Sequence, residues 1–258
     1  MSAREFRDKI VFVTGATSGI GRYVAIAFAR EGARVVGSGR NAERGDESQR
    51  LAEAAGGSFS FVPMDLAEED QIIAAVRTVM DRYNRLDCAV NCAGIDPAER
   101  LLDYTAADFD RIFDTNVRGL FLCVREEVKA MHRGGGGAIV NLGSIAGQRA
   151  FRGNSLYNAS KAAAKMLTQS AAVECAEFGV RVNEVQPGPV MTPMLAGYIE
   201  SSKKTNSLLT EESLTAAMPL GRLLTPEDIA SSVLFLCSAN AANITGASLV
   251  VDGGFVLA

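Results

Sequence analysis

With 258 residues, 48% of them hydrophobic and 22% charged, the chain can bury a sizeable core, and its length admits one or two domains. A formal net charge of −4 with no basic run of five residues excludes the electrostatic footprint of a nucleic-acid binder. No stretch of about 18 apolar residues is available to span a bilayer.

In chain order, short apolar runs alternate with longer amphipathic stretches: 10–13 then 20–30, 35–36 then 41–55, 59–62 then 68–83, and 88–90 then 106–131. The alternation continues with 138–142, a helix over 157–178, a strand at 180–185, a helix over 226–237 and a last strand near 248–251. Strands that are apolar on both faces and separated by helices predict an α/β fold. The form expected is a Rossmann-type doubly wound parallel sheet of about seven strands flanked by helices. No linker interrupts the pattern, so one domain over 1–258 is expected. The one long polar, weakly periodic stretch, from Thr192 to about Ala217, is expected to form a substrate lid.

Thr14-Gly15-Ala16-Thr17-Ser18-Gly19-Ile20-Gly21 falls between the first strand and the first helix, where a parallel sheet binds a dinucleotide. Glycines let the backbone approach a pyrophosphate, and free N–H groups at the helix start carry partial positive charge toward it. The spacing is GxxxGxG, not the GxGxxG of the general fingerprint, and an ordinary glycine-rich turn is the competing reading. An acid about 20 residues further on would bind the ribose of NAD. Gly37-Ser38-Gly39-Arg40-Asn41 offers no carboxylate there, while the guanidinium fork of Arg40 suits a 2′-phosphate. NADP(H) is therefore favoured over NAD(H). A solvated Arg40 opening the next helix is the alternative, and Ser18, where a second basic residue could stand, adds no support.

Tyr157 and Lys161, four apart on a helix, share one face. A free tyrosine titrates near pH 10, too high for a base at neutrality. A drop of about three units asks roughly 4 kcal/mol of the Lys161 ammonium, a bound nicotinamide and local hydrogen bonds. Ser144, just past the strand at 138–142, stands at the carboxyl end of the sheet, where its hydroxyl could hold a substrate oxygen. It has no histidine beside it to act as a nucleophile. A surface Tyr/Lys pair and a turn-forming serine are the bland readings.

With these features in order, the chain resembles the short-chain dehydrogenase/reductase (SDR) family, in its compact single-domain, 3-oxoacyl-reductase-like branch, over nearly its whole length. The resemblance also rests on Asp65, Asn91-Cys92-Ala93-Gly94, Asn116, Pro187-Gly188-Pro189-Val190-Met191-Thr192 and Val251-Asp252-Gly253-Gly254. It implies that Asp65 and Leu66 contact adenine and that Asn91, Ala93 and Gly94 line the adenosine ribose. Lys161 would bind the nicotinamide ribose, and Pro187, Gly188, Val190 and Thr192 the nicotinamide end. Asn116 would hold a water linking Lys161 to solvent, completing an Asn–Ser–Tyr–Lys tetrad. Taken singly, Asp65 could instead be a helix-capping acid and Asn116 a helix-kink residue.

The reading is a reversible ketone or aldehyde reductase acting on a small-molecule substrate. Open beside it stand an NAD-linked alcohol or hydroxysteroid dehydrogenase, a carrier-linked 3-oxoacyl reductase and a non-catalytic dinucleotide sensor. Gly135 and Phe178 stand where carrier-protein reductases place arginines, although Arg133 is close. The pocket is expected from Ile95, Asp96, Pro97, Ile145, Gln148, Phe151, Asn154, Pro189, Met194, Leu195 and Tyr198, with Arg149 and Arg152 on the surface. Glu184 puts a carboxylate in a strand, where Arg181 or a second subunit is expected to pair with it. The five cysteines include no CxxC pair, and Cys88 and Cys92 read as packing residues on one strand face. The only histidine, His132, reads as a helix-end cation, so no metal centre is expected. With no apolar leader at the amino end, a reduced cytoplasmic protein is expected. Surplus apolar surface on the helices at 106–131 and 157–178 points to subunit pairing, with a homotetramer implied by the resemblance.

Overall fold

The computed structural model describes residues 5–202 and 209–258. Residues 203–208, in the middle of the expected lid, lie outside the described residues. In chain order the elements are β1 (Ile10–Thr14), α1 (Gly19–Arg30), β2 (Arg34–Gly39), α2 (Ala42–Ala54), β3 (Ser58–Pro63), α3 (Glu69–Tyr83), β4 (Cys88–Asn91) and α4 (Ala106–Phe113). They continue as α5 (Gly119–Arg133), β5 (Gly137–Leu142), α6 (Ser155–Cys175), β6 (Val180–Pro187), α7 (Pro193–Ser202), α8 (Glu211–Ala216), α9 (Pro226–Cys237) and β7 (Ser248–Val251).

All seven strands form one parallel sheet in the order β3-β2-β1-β4-β5-β6-β7. β1 shows why both faces are covered. Every residue of it is buried, and successive side chains alternate between two cores. Val11 and Val13 pack with Val24 and Phe28 of α1 and with Ile229, Val233 and Leu236 of α9. Ile10 and Phe12 pack with Ile72 and Val79 of α3, Leu122 and Cys123 of α5, and Ala164 of α6. The order in which strands are added reverses between β1 and β4, so the loops leaving those strands part and open a crevice at the carboxyl edge.

Several elements differ from the sequence expectation. The run at 35–36 is a six-residue strand, because Gly37 and Ser38, which broke the apolar pattern, stay paired between β1 and β3. The expected single helix over 106–131 is interrupted by a wide π-helical turn at Asp114–Arg118, where the buried Asn116 turns its carboxamide inward. The stretch expected as a lid loop carries α7 and α8, the latter started by a capping box between Thr210 and Ser213.

A buried polar chain ties β4, β5, α5 and α6 together. Asn91 Nδ2 donates to Glu127 Oε2 (2.9 Å) and to Asn141 Oδ1 (3.0 Å), and Asn141 Nδ2 donates to Thr168 Oγ1 (2.9 Å). Burial pushes the Glu127 carboxyl up to about 7, and the Asn91 bond opposes this only in part. A carboxyl whose folded pKa is raised contributes stability that is complete below its unfolded pKa and is lost as pH rises through the folded value. The loss from Glu127 should fall between about pH 4.5 and 7 and amount to roughly 3 kcal/mol. Glu127→Gln keeps an acceptor for Asn91 without the charge. Urea unfolding should therefore show a drop in stability from pH 5 to pH 8 that is about 2 kcal/mol smaller in the variant than in the parent. Equal drops would assign the titration elsewhere.

Candidate active site

The loops leaving the carboxyl ends of the strands enclose one continuous cleft of ≈ 470 Å³, within the range of small-molecule sites. At one end lies the turn between β1 and α1, where Gly15, Thr17, Ser18, Gly19, Ile20 and Gly21 all line the wall. Gly15 has φ +70°, and a β-carbon there would sit 2.8 Å from the backbone nitrogen of Ala93, so only glycine lets the turn close on the loop after β4. Ser18 is the N-cap of α1 but its hydroxyl makes no capping bond, and the first turn carries no acid. The leading amides of α1 are therefore left for an anion. Arg22 braces the turn from behind, donating to Thr17 O and Glu47 Oε2, each at 2.6 Å.

Arg40 lies exposed at the mouth beyond β2 and also lines the cleft. Beside it is Arg44, in the first turn of α2, which the sequence reasoning missed. Its signal was there in the four-residue spacing from Arg40 at a helix start. Asp65 and Leu66 line the same region. Asp65 does not cap a helix: Glu68 is the N-cap of α3, and Asp65 Oδ1 instead accepts from Ala67 N (3.1 Å) in a local turn. Ala93 and Gly94 are in the wall, but the side chain of Asn91 is not, because strand alternation turns it into the core network with Glu127 and Asn141. Pro187, Gly188, Val190 and Thr192 line the cleft below β6. An uncapped helix start and glycines that admit close backbone approach fit a dinucleotide, and among the described residues the Arg40 and Arg44 side chains at the far edge have no ion-pair partner.

The other end holds Ser144, Tyr157 and Lys161. Ser144 stands two residues past β5, its Oγ accepting from Ala146 N (3.1 Å), and it lines this end of the cleft together with Tyr157. Lys161 Nζ donates to Leu142 O (2.7 Å) and lies 5.7 Å from the centroid of the Tyr157 ring. Burial pushes the Tyr157 phenol well above its ordinary value, Asp96 adds to this, and the nearby Ser144 hydroxyl opposes it. The expected lowering by Lys161 does not result from the protein alone. The penalty on a desolvated phenolate is larger, and Lys161 is itself pushed down by burial, countered by Glu184 and Asp96. Asn116 is buried beside this group. Its Oδ1 accepts from Ile95 N (2.9 Å), and its Nδ2 donates to Ile95 O (2.9 Å) and Ser160 Oγ (3.1 Å). Gly94 separates it from Lys161: a β-carbon there would lie 3.2 Å from Asn116 Oδ1 and 3.7 Å from Lys161 Nζ.

Of the expected pocket residues, Ile95, Asp96, Ile145, Phe151, Asn154, Pro189, Met194, Leu195 and Tyr198 line the cleft. Gln148 does not. It follows the short 3-10 turn Ile145–Gly147 and is exposed outside the wall, because that turn rotates it away from Ile145. Pro97 is also outside, and Arg149 and Arg152 are exposed; Arg149 donates to Phe255 O (3.0 Å). Pro193, Leu209 and Leu214, from the stretch expected as a lid, also line the cleft, and so does Phe255, which was not anticipated. Phe255 comes from the carboxyl-terminal segment, a long-range approach that carries no local pattern.

Glu184 is fully buried and receives a hydrogen bond from Gln186 Nε2 (2.7 Å), not from Arg181. Arg181 lies on the opposite strand face, three residues away, and donates to the carbonyls of Leu236 (2.8 Å) and Ile244 (3.2 Å). The Glu184 carboxylate fills the space beneath Gly143, immediately before Ser144, and burial pushes its carboxyl up.

A doubly wound sheet whose crevice joins a dinucleotide cradle to a Ser–Tyr–Lys group defines a nicotinamide-dependent oxidoreductase acting on CH–OH or C=O groups. Sequence and structure comparisons agree. A family model described as Enoyl-(Acyl carrier protein) reductase matches residues 15–256. The chain is 39% identical to the 3beta-hydroxysteroid dehydrogenase of Mediterraneibacter gnavus, covering 97% of this chain and 95% of that protein. It is 37% identical to the cyclopentanol dehydrogenase of Comamonas testosteroni, covering 96% and 97%. Among solved structures, a variant of actinorhodin polyketide ketoreductase with NADPH superposes with a TM-score of 0.92 at 32% identity, covering 99% of each chain. The chain belongs to the short-chain dehydrogenase/reductase family.

The packing of Glu184 against Gly143 is testable. A β-carbon at Gly143 would overlap Glu184 Oε1, so Gly143→Ala should destabilise the protein by about 2 kcal/mol in urea unfolding. Glu184→Ala removes the obstacle. In a double-mutant cycle the two costs should fall short of additive by at least about 1 kcal/mol, whereas strict additivity would remove the carboxylate as the reason for glycine at 143.

Proposed function

We propose that the protein is an NADP(H)-dependent reductase that converts a ketone or aldehyde reversibly to an alcohol, with Tyr157 as the acid/base. The observation that carries this reading is the buried Tyr157 side chain in the cleft, with Ser144 in the same wall and Lys161 Nζ 5.7 Å from the centroid of its ring. A phenol pushed up by burial stays protonated near neutrality, which suits a proton donor to a developing alkoxide. The Ser144 hydroxyl holds the substrate oxygen beside it. Lys161, fixed on Leu142 O, lends positive charge to the pair and would bind the nicotinamide ribose. Asn116 and Lys161, flanking Gly94, would share the water that returns the proton. When bound, the nicotinamide supplies the hydride. Run backwards, the same groups oxidise an alcohol.

Arg40 and Arg44 at the mouth, with no carboxylate at the end of β2, support NADP(H) over NAD(H). The relatives named for cyclopentanol and a 3β-hydroxysteroid favour a secondary ring alcohol, or its ketone, as the substrate class. The segment carrying α7 and α8 contributes Met194, Leu195, Tyr198, Leu209 and Leu214 to the cleft wall, which supports a lid. Exposed Phe109 and Phe121 on α4 and α5, and Met166 and Val173 on α6, support subunit pairing, for which a homotetramer is the proposed form. Five unpaired cysteines support a reduced cytoplasmic setting.

Steady-state assays on a ring ketone test the assignments. Tyr157→Phe should lower kcat/KM by about a thousandfold while leaving the NADPH dissociation constant within about twofold by calorimetry. Parent-like turnover would end the acid/base role. Arg40→Ala should raise the KM for NADPH about tenfold and change that for NADH far less. An equal effect on both would remove the 2′-phosphate contact.

A further inference from the structure

The charged groups of the cleft are sorted along its length. Among the described residues lining it, the cations are Arg40, Arg44 and Lys161; the first two stand at the dinucleotide mouth, and Lys161 is held on Leu142 O. Among the described residues the substrate end holds no free cation. It holds Asp96 instead, in the loop after β4, among Ile95, Ile145, Phe151, Leu195 and Tyr198.

Among the described residues Asp96 has no ion-pair partner. Its two carboxylate oxygens share a single side-chain partner, Asn154 Nδ2, at 3.2 and 3.0 Å. Asn154 is itself buried, sits one turn before Tyr157 at the start of α6, and its own Oδ1 has no protein partner. This corner of the cleft thus presents a carboxylate and a carboxamide oxygen, both acceptors. The Tyr198 hydroxyl, the nearby donor, is given to Arg152 O (3.4 Å). The Asp96 carboxylate raises the phenols of both Tyr157, at the reacting end, and Tyr198, on α7. A carboxylate retains several lone-pair sites beyond one amide, and leaving them unmet in a desolvated pocket is costly.

We propose that Asp96 is a specificity-determining residue that accepts a hydrogen bond from a second hydroxyl of the substrate. The preferred substrates are then hydroxyketones and the corresponding diols, and carboxylate-bearing carbonyl compounds are rejected. The proposal rests on the oxidoreductase reading above and narrows its substrate class. A hydroxyl is favoured over an ammonium because Lys161 already places a buried cation within the field of Asp96, and a second would be repelled. Burial pushes the Asp96 carboxyl up to about 6, which leaves it ionised in an assay above neutrality.

The test compares kcat/KM for cyclohexanone, its positional hydroxy derivatives, an aminocyclohexanone and an oxocyclohexanecarboxylate with NADPH, in the parent and in Asp96→Asn and Asp96→Ala. In the parent, the best hydroxyketone should exceed cyclohexanone about tenfold and the carboxylate should fall about tenfold below it, the span expected of one charge-assisted hydrogen bond. Both substitutions should bring the two ratios to within about threefold of unity, whatever they do to the absolute rates. Ratios near unity in the parent, or ratios unmoved by both substitutions, overturn the role of Asp96 while leaving the reductase reading intact. A preference for the ammonium compound without one for the hydroxyl overturns the hydroxyl assignment. Turnover of none of the compounds by the parent overturns the reductase reading itself, and the substrate class with it.

Discussion

The pairing of β1 with β2 on one side and β4 on the other is the constraint from which the site follows. Thr14 lies opposite Ser38 across one ladder and opposite Asn91 across the other. Parallel crossovers are right-handed, so the connections within the β1–β3 half and those that lead from β3 through β6 run over opposite faces. The two cores record this, one with α1, the other with α3, α5 and α6, while α9, which leads into β7, crosses back to the face of α1. At the carboxyl edge between β1 and β4 no connection can cover the gap, and the cleft is what remains.

Desolvation then sets the chemistry. Tyr157, Lys161, Asp96 and Glu184 all sit where burial favours the neutral form. Burial pushes Lys161 toward the loss of its charge. Glu184 from beneath the sheet end and Asp96 from the cleft oppose that loss, and Lys161 in turn lowers both carboxyls. The three charges are mutually dependent, while the phenol, facing Asp96 and apolar wall, is left protonated. A strand glutamate that looks out of place in the sequence has an electrostatic reason here: it lies behind the backbone of Gly143 and faces the lysine from the side away from solvent.

How much of this was legible in the sequence depends on range. Motifs set by the local chain could be read directly: the Gly15–Gly21 turn, the four-residue spacing of Tyr157 and Lys161, and Ser144 at a strand end. α9 and β7 were bounded correctly because capping and apolar signals coincide there. β2 was read short because Gly37 and Ser38 are buried by their neighbours and not by their own hydropathy. Asn91 was placed by resemblance at the ribose, whereas pleat alternation sends its side chain inward. Gln148 and Arg181 failed for a related reason, since the direction of a side chain past a turn or along a strand depends on backbone detail that spacing alone does not carry. Arg44 and Phe255 reach the cleft through tertiary approach, and of the two only Arg44 left a trace in the sequence.

The interruption between α4 and α5 links the fold to the reaction more tightly than either helix alone could. A π turn is rare, and it persists where other bonds compensate for it. Here a single carboxamide supplies them: Asn116 holds both backbone groups of Ile95 and donates to Ser160, whose hydroxyl in turn donates to Tyr157 O (2.8 Å). A regular helix would carry residue 116 to another azimuth, and the loop after β4 would lose its anchor to α6. With that anchor, the segment bearing Asp96 is fixed to the helix bearing Tyr157 at two points, through Asn116 and through Asn154. The distance between the proton donor and the acceptor corner is thereby set by the fold before any substrate enters, and the site can discriminate by position as well as by charge.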